Sequence, residues 1–122
     1  MKVLLINGSP HENGCTYTAL CEVASALHAE GIETEMLQVG MSPIRGCTGC
    51  GTCFRTRSRR CVFADDLVNV ALDKMKECDG LIVGSPVHYA SAGGSVTALL
   101  DRMFYAGSRE MRGKVGAAVV SA

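Results

Sequence analysis

Apolar residues along this chain fall into two kinds of pattern. Lys2-Val-Leu-Leu-Ile6, Leu81-Ile-Val-Gly84 and Val115 to Val120 are short, nearly unbroken aliphatic runs, as expected of strands buried on both faces. Ile32 to Val39 is more mixed and reads as a strand nearer the sheet edge. Between these runs, apolar positions recur at helical spacing: Leu20, Val23, Ala24, Leu27; then Leu67, Val68, Ala71, Leu72, Met75; then Val96, Leu99, Leu100, Met103, Phe104. Gly31 is a natural stop for the first helix, and Asp65-Asp66 offers N-cap chemistry to the second. The order β-α-β-α-β-α-β predicts one α/β domain with a parallel sheet and helices on both faces, because parallel strands need right-handed crossovers. Strand order 2-1-3-4 makes the first and third strands neighbours at a topological switch point, where α/β folds bind ligands. Residues 1–122 are expected to be a C-terminally truncated form of this domain. The last strand, with Val115, Val119 and Val120, lacks a fifth strand and a covering helix.

Two polar loops leave the first and third strands at their carboxyl ends. In the first, Asn7-Gly-Ser-Pro10 breaks the strand, and His11-Glu-Asn-Gly-Cys-Thr-Tyr-Thr18 leads into a helix that begins near Thr16. A hydroxyl-rich loop meeting a helix N-terminus is an anion site, since unpaired N–H groups and the helix dipole both favour a phosphate. The alternative is that the hydroxyls only cap the helix. The loop has neither Gly-Lys-Ser/Thr of a triphosphate loop nor Gly-x-Gly-x-x-Gly of a dinucleotide loop, which leaves a single phosphomonoester. The second loop, Ser85-Pro-Val-His-Tyr-Ala-Ser-Ala-Gly-Gly94, offers close approach to a flat ligand at its glycines and an aromatic ring at Tyr89. His88 and Tyr89 also fit a plain solvated loop.

Charge and cysteine content narrow the picture. Twelve basic and twelve acidic residues cancel, so no global field draws nucleic acid or a membrane surface. No apolar run approaches a membrane span, and the N-terminus lacks the form of a signal peptide. Seven cysteines, an odd number, point to reduced thiols or metal ligation in a cytoplasmic protein. Four of them lie in residues 40–64, a Cys- and Arg-rich loop insertion without periodicity: Cys47, Cys50, Cys53 and Cys61 form C-x2-C-x2-C-x7-C. Such a run suits a [4Fe–4S] cluster, a zinc site, or free or disulfide-forming thiols. Arg45, Arg55, Arg57, Arg59 and Arg60 around it would stabilise an anionic cluster, lower thiol pKa values, attract the extra phosphate of NADPH, or simply be solvated.

The stretches Asn7-Gly-Ser-Pro-His-Glu-Asn-Gly-Cys-Thr16, Asp79-Gly-Leu-Ile-Val-Gly-Ser-Pro-Val-His-Tyr-Ala90 and Leu99-Leu-Asp-Arg-Met103 occur in order along nearly the whole chain. Together they resemble the flavodoxin-like NAD(P)H-dependent FMN reductases, and the cysteine segment looks like that of their iron–sulfur flavoprotein branch. The resemblance implies FMN phosphate contacts from Ser9, His11, Asn13, Gly14, Cys15, Thr16 and Thr18, with Pro86, Val87, His88 and Tyr89 lining the isoalloxazine. The family more often has Arg or Lys at the position of His11 and Asn or Ser at that of Cys15. It also implies hydride transfer from NAD(P)H to FMN and on to a small-molecule or protein electron acceptor, in a homo-oligomer (dimer or tetramer). No catalytic side chain is expected, since the flavin carries the chemistry. Two other readings are an electron carrier with FMN and [4Fe–4S] at Cys47, Cys50, Cys53 and Cys61, and a non-catalytic thiol redox-sensing module.

Overall fold

A computed structural model describes all residues, 1–122. Five strands and four helices follow in the order β1 (Lys2–Asn7), α1 (Cys15–Ala29), β2 (Glu33–Gln38), α2 (Thr52–Thr56), α3 (Val68–Lys76), β3 (Gly80–His88), β4 (Ser91–Ala92), α4 (Gly94–Met111) and β5 (Val115–Ser121). β1 lies between β2 and β3, parallel to both, with Val3 opposite Thr34 on one side and Gly80 on the other. β5 pairs in parallel with β3, from Gly80 opposite Val115 to Pro86 opposite Ser121. The main sheet therefore runs β2-β1-β3-β5, the flavodoxin-like order expected, with β5 as the fourth long strand.

Alternation along β1 divides the core in two. Leu4 and Ile6 face α3 and α4, joining Val68, Ala71, Leu72, Met75, Leu99 and Met103 in the larger cluster. Val3 and Leu5 face α1, where they meet Leu20 and the partly buried Ala24 and Leu27. This is why β1 shows no polar position between Val3 and Ile6: both faces are covered. Cys78 is buried in the larger cluster, whereas Cys21 is half-buried on α1. On β5, Val115 and Val120 are exposed, and Val119 packs on the α1 side.

Three local features differ from the sequence pattern. β3 continues four residues beyond Gly84 and turns back through Tyr89 and Ala90 into β4, with Val87 opposite Ala92 and His88 opposite Ser91. The loop expected over residues 85–94 is thus largely a small hairpin. Residues 40–64 hold a five-residue helix, α2, too short to show periodicity. The helix expected to be capped at Asp65-Asp66 starts at Val68; Asp66 Oδ1 still accepts the Val68 N–H at 3.2 Å, one residue further out than an N-cap. α4 passes so close to α3 that a Cβ on Gly107 would lie 2.3 Å from Leu72 Cδ2, and the helix departs from ideal geometry there.

The ends of β1 and β3 meet tightly. Gly8 N–H donates to Gly84 O at 2.8 Å. A Cβ at Gly8 would sit 1.9 Å from Val96 Cγ2 and 2.8 Å from Gly84 O. Gly8→Ala is therefore expected to lower stability by about 1–3 kcal/mol through overpacking, seen as a lower denaturation midpoint with an unchanged denaturant slope.

Candidate functional site

Asn7, fully buried at the end of β1, organises the first loop. Its Nδ2 donates to Gln38 Oε1 at 2.6 Å and to Glu12 O at 3.2 Å, while its Oδ1 accepts the Ser9 N–H at 3.2 Å. Gln38 Nε2 donates in turn to Ser9 O at 2.8 Å. The hydroxyls expected to meet a phosphate are used locally. Ser9 Oγ accepts the His11 N–H at 3.1 Å, Thr18 Oγ1 donates to Gly14 O at 3.1 Å, and Thr16 Oγ1 shares a 2.7 Å bond with Ser121 Oγ on β5. None of them caps α1: Gly14 occupies the N-cap with no side-chain bond, and the first turn carries no acidic residue. The simple capping explanation therefore fails. His11, Asn13 and Cys15 are exposed around an N-terminus whose positive dipole end faces outward.

A second helix start lies beside it. α4 begins at Gly94 behind an N-cap Gly93 that also lacks a side-chain cap. Gly93 N–H donates to Ser85 Oγ at 2.9 Å, and a Cβ there would lie 3.6 Å from Gly8 O. The expected groups 9–18 and 86–89 therefore flank one joint between β1 and β3. Pro86 is half-buried and Val87 and His88 are exposed on the hairpin. Tyr89, expected to pack on a flat ligand, stands wholly in solvent at the tip. Tyr89 and Ala90 have φ of 49° and 63°, so two non-glycine residues occupy left-handed positions in this turn.

The four cysteines of the 40–64 segment line one pocket, together with Phe63, Arg102 and Tyr105. Its interior is only about 20 Å³, the room of a single water, and no three His, Cys, Asp or Glu side chains are grouped closely enough to hold an ion. The donor chemistry fits an iron–sulfur cluster, since four thiols line one arginine-rich pocket, although they are not gathered around a common point. Holding one requires the exposed stretch 46–50 to rearrange. Cys50 is exposed, and hydrogen bonds from the Thr52 hydroxyl and backbone N–H, with Arg55 nearby, hold its thiol below the usual range.

Cys61 is the fixed member of the four. Asn69, buried on α3, accepts the Cys61 N–H at 2.8 Å and donates to Cys61 O at 2.9 Å. Arg102, 1% exposed on α4, donates from Nε to Cys61 Sγ at 3.3 Å, from Nη2 to Phe63 O at 2.8 Å and from Nη1 to Arg45 O at 3.2 Å, and it forms an ion pair with Asp66. Burial opposes the Arg102 charge, but Asp66 and Cys61 outweigh it and raise its pKa further. Asn7, Gln38, Asn69 and Arg102 are absent from the residues expected to build the site. For Arg102 the one sequence signal is a guanidinium on a helix directly beside the apolar stripe position Met103.

The NADPH-dependent FMN reductase family model matches residues 1–122. An iron–sulfur flavoprotein of Methanocaldococcus jannaschii is 38% identical, the match covering 98% of this chain and 61% of that protein. One of Archaeoglobus fulgidus is 34% identical over 99% of this chain and 59% of its own length. The chain thus spans about three fifths of the length of these relatives. Among solved structures, RosB with a bound riboflavin-phosphate intermediate superposes with a TM-score of 0.77 at 16% identity, covering 98% of this chain and 51% of RosB. An NADH:FMN oxidoreductase superposes at 0.63 with 24% identity, covering 99% of this chain and 59% of the enzyme. These superpositions show the fold. No helix is long and apolar enough to cross a membrane.

Replacing Arg102 by Met leaves the Asp66 carboxylate, whose side chain is 5% exposed, without its cation. A loss of about 3–5 kcal/mol is expected, measured by denaturant unfolding. Cys61 should also react faster with a thiol reagent under native conditions, while Cys78 keeps its rate.

Proposed function

The chain belongs to the NADPH-dependent FMN reductase family, and on that premise we propose that it is an FMN-dependent oxidoreductase taking hydride from NAD(P)H and passing electrons to a further acceptor. The observation that carries this reading is the uncapped α1 N-terminus at the β1–β3 joint, with the β3–β4 hairpin beside it. The phosphate would be held by the free main-chain N–H groups at Cys15 and Thr16 and by exposed His11 and Asn13, with the Gly14 N–H closing the turn onto His11 O at 3.2 Å. Ser9 and Thr18 act through the backbone they brace, and Thr16 Oγ1 through Ser121. An imidazole at position 11 lacks the permanent charge that Arg or Lys would bring to the phosphate. Binding would therefore lean on the dipole and on N–H donors. Pro86, Val87 and His88 would form the platform for the ring system, with Tyr89 free to fold over it from the hairpin tip. Once bound, FMN supplies the hydride chemistry, so the side chains have only to position it, exclude water and orient the nicotinamide.

One observation favours an extension of this reading. Cys47, Cys50, Cys53 and Cys61 line a single pocket in which Arg102 already donates to Cys61 Sγ. These four would hold a [4Fe–4S] cluster, making the protein an electron carrier like the iron–sulfur flavoproteins it resembles. Such a cluster supplies one-electron steps, and the arginines would offset its negative charge. The acceptor would then be a redox protein or small molecule, and the working form a homo-oligomer in the cytoplasm.

Titration with FMN and with riboflavin, followed by quenching of flavin fluorescence, tests the phosphate site. FMN should bind about ten-fold or more tightly than riboflavin, as expected for the loss of one charge-assisted contact set. Equal affinities would remove the phosphate-loop reading. Anaerobic addition of iron and sulfide should produce broad visible absorption that Cys53→Ala abolishes without changing FMN affinity. No absorption in the parent chain would return the cysteine segment to a thiol role.

A further inference from the structure

A second concavity adjoins the thiol pocket, sharing Cys53, Tyr105 and Ala106 with it, and the flavin and cluster sites proposed above do not use it. Cys53, Phe54, Arg57, Arg59, Tyr105 and Arg109 are among the residues lining a hollow of about 290 Å³, near the lower end for small-molecule sites. One wall is aromatic: Phe54 and Tyr105 meet edge to face, 5.8 Å between centroids at 63°, and both remain largely exposed. The other wall is cationic. Arg59 pairs with Glu110 at 2.7 Å, but Arg57 and Arg109 have no carboxylate partner, so the hollow keeps a net positive charge. Arg57 and Arg59 both hold left-handed backbone, φ 52° and 57°, and Ser58 Oγ ties the turn by bonding both the N–H and the C=O of Arg60.

Three guanidiniums around two exposed aromatic rings suit one kind of ligand. A cation is repelled, and an aliphatic group gains nothing from the arginines. A bare inorganic anion leaves the rings in water. A planar ring carrying a phosphate or carboxylate satisfies both walls, because arginine recognises such anions through paired N–H groups and rings stack on Phe and Tyr. We propose that this pocket binds a small aromatic anion, its ring against Phe54 and Tyr105 and its anionic group on Arg57 and Arg109. Two sources share that chemistry. One is the 2′-phosphoadenosine end of NADPH, an assignment that rests on the function proposed above. The other is a free aromatic acid, which does not. Along α4, Tyr105 stands eleven residues beyond Gly94 at the β1–β3 joint, a rise of about 16 Å. That separation admits an extended dinucleotide with its other end at the joint. Cys53 lines both this hollow and the thiol pocket, so a bound molecule abuts the metal-ligand candidates.

Calorimetric titration of the purified chain with adenosine 2′-monophosphate, with adenosine and with 2-naphthoate tests the proposal without flavin turnover. At least one of the two anions should bind saturably, and adenosine about ten-fold or more weakly than its 2′-phosphate. Preference for the 2′-phosphate assigns the pocket to NADPH, and preference for naphthoate assigns it to a free acid. The exposed-residue variant Arg57→Gln/Arg109→Gln should lose about ten-fold or more in affinity for the anion, with FMN affinity and circular dichroism unchanged. Phe54→Ala should weaken both anions. Absence of saturable binding by either anion would overturn the proposal, as would equal binding of adenosine or an unaffected arginine variant. FMN titration reads the flavin site separately, so failure here leaves that reading intact, and failure there leaves the pocket intact.

Discussion

The close pairing of β1 with β3 is the constraint from which the rest of the structure follows. Their register puts Asn7 opposite Gly84, and the Gly8–Gly84 hydrogen bond carries the contact one residue past the strand. At that point α1 and α4 both begin, one from each strand's exit, and both without a side-chain cap. Two positive dipole ends converge on a place where no side chain has room. Gly8 is hemmed in by Val96, and a Cβ at Gly84 would lie 2.8 Å from Leu20 Cδ1. The tightly packed joint leaves the α1 N-terminal backbone donors at the surface. A ligand that met bulky side chains here would be held away from the N–H groups that favour it.

Much of this was readable from residue order. Unbroken aliphatic runs mark β1 and β3 because these central strands are covered on both faces, and helical spacing marks α1, α3 and α4. β5 carries the same kind of run but is a largely exposed edge strand, a correction to its expected burial. Placement of two polar loops at the switch point followed from strand order alone. The β3–β4 hairpin was hidden because its turn residues are Tyr89 and Ala90, where the usual signal is Asn or Gly. α2 was hidden because five residues make little more than one helical turn. The roles of Ser9, Thr16 and Thr18 could not be read either. A hydroxyl beside a helix start has the same appearance whether it meets a ligand, a neighbouring N–H or, as for Thr16, a residue 105 positions away.

Arg102 illustrates the same limit in the opposite sense. Its partners at Arg45, Cys61, Phe63 and Asp66 lie 36 to 57 residues from it in sequence, and its place beside Met103 does not by itself mark the side chain as buried. A buried ion pair of this sort gives modest net stability, since desolvation offsets much of the attraction. Its effect is geometric. It sets where the cysteine segment enters and leaves the domain, and with Asn69 it holds Cys61 in place.

That clamp also fixes the length of chain that can open independently. Arg102 grips the segment at Arg45 and again at Cys61, so residues 46–60 form a closed loop whose ends stay together whatever its interior does. Loop-closure entropy depends only weakly on length once the ends are held. Between the two grips the fifteen residues carry only exposed ties to α3 and α4, through Arg59–Glu110, Arg60–Asp73 and the Phe54–Tyr105 rings. With these broken the segment opens as a local unit while the sheet and both cores stay folded. Cys47, Cys50 and Cys53 ride on that unit and Cys61 does not. Any event that gathers the four thiols is then an ordering of one small loop onto a rigid post, with an entropic cost confined to that loop.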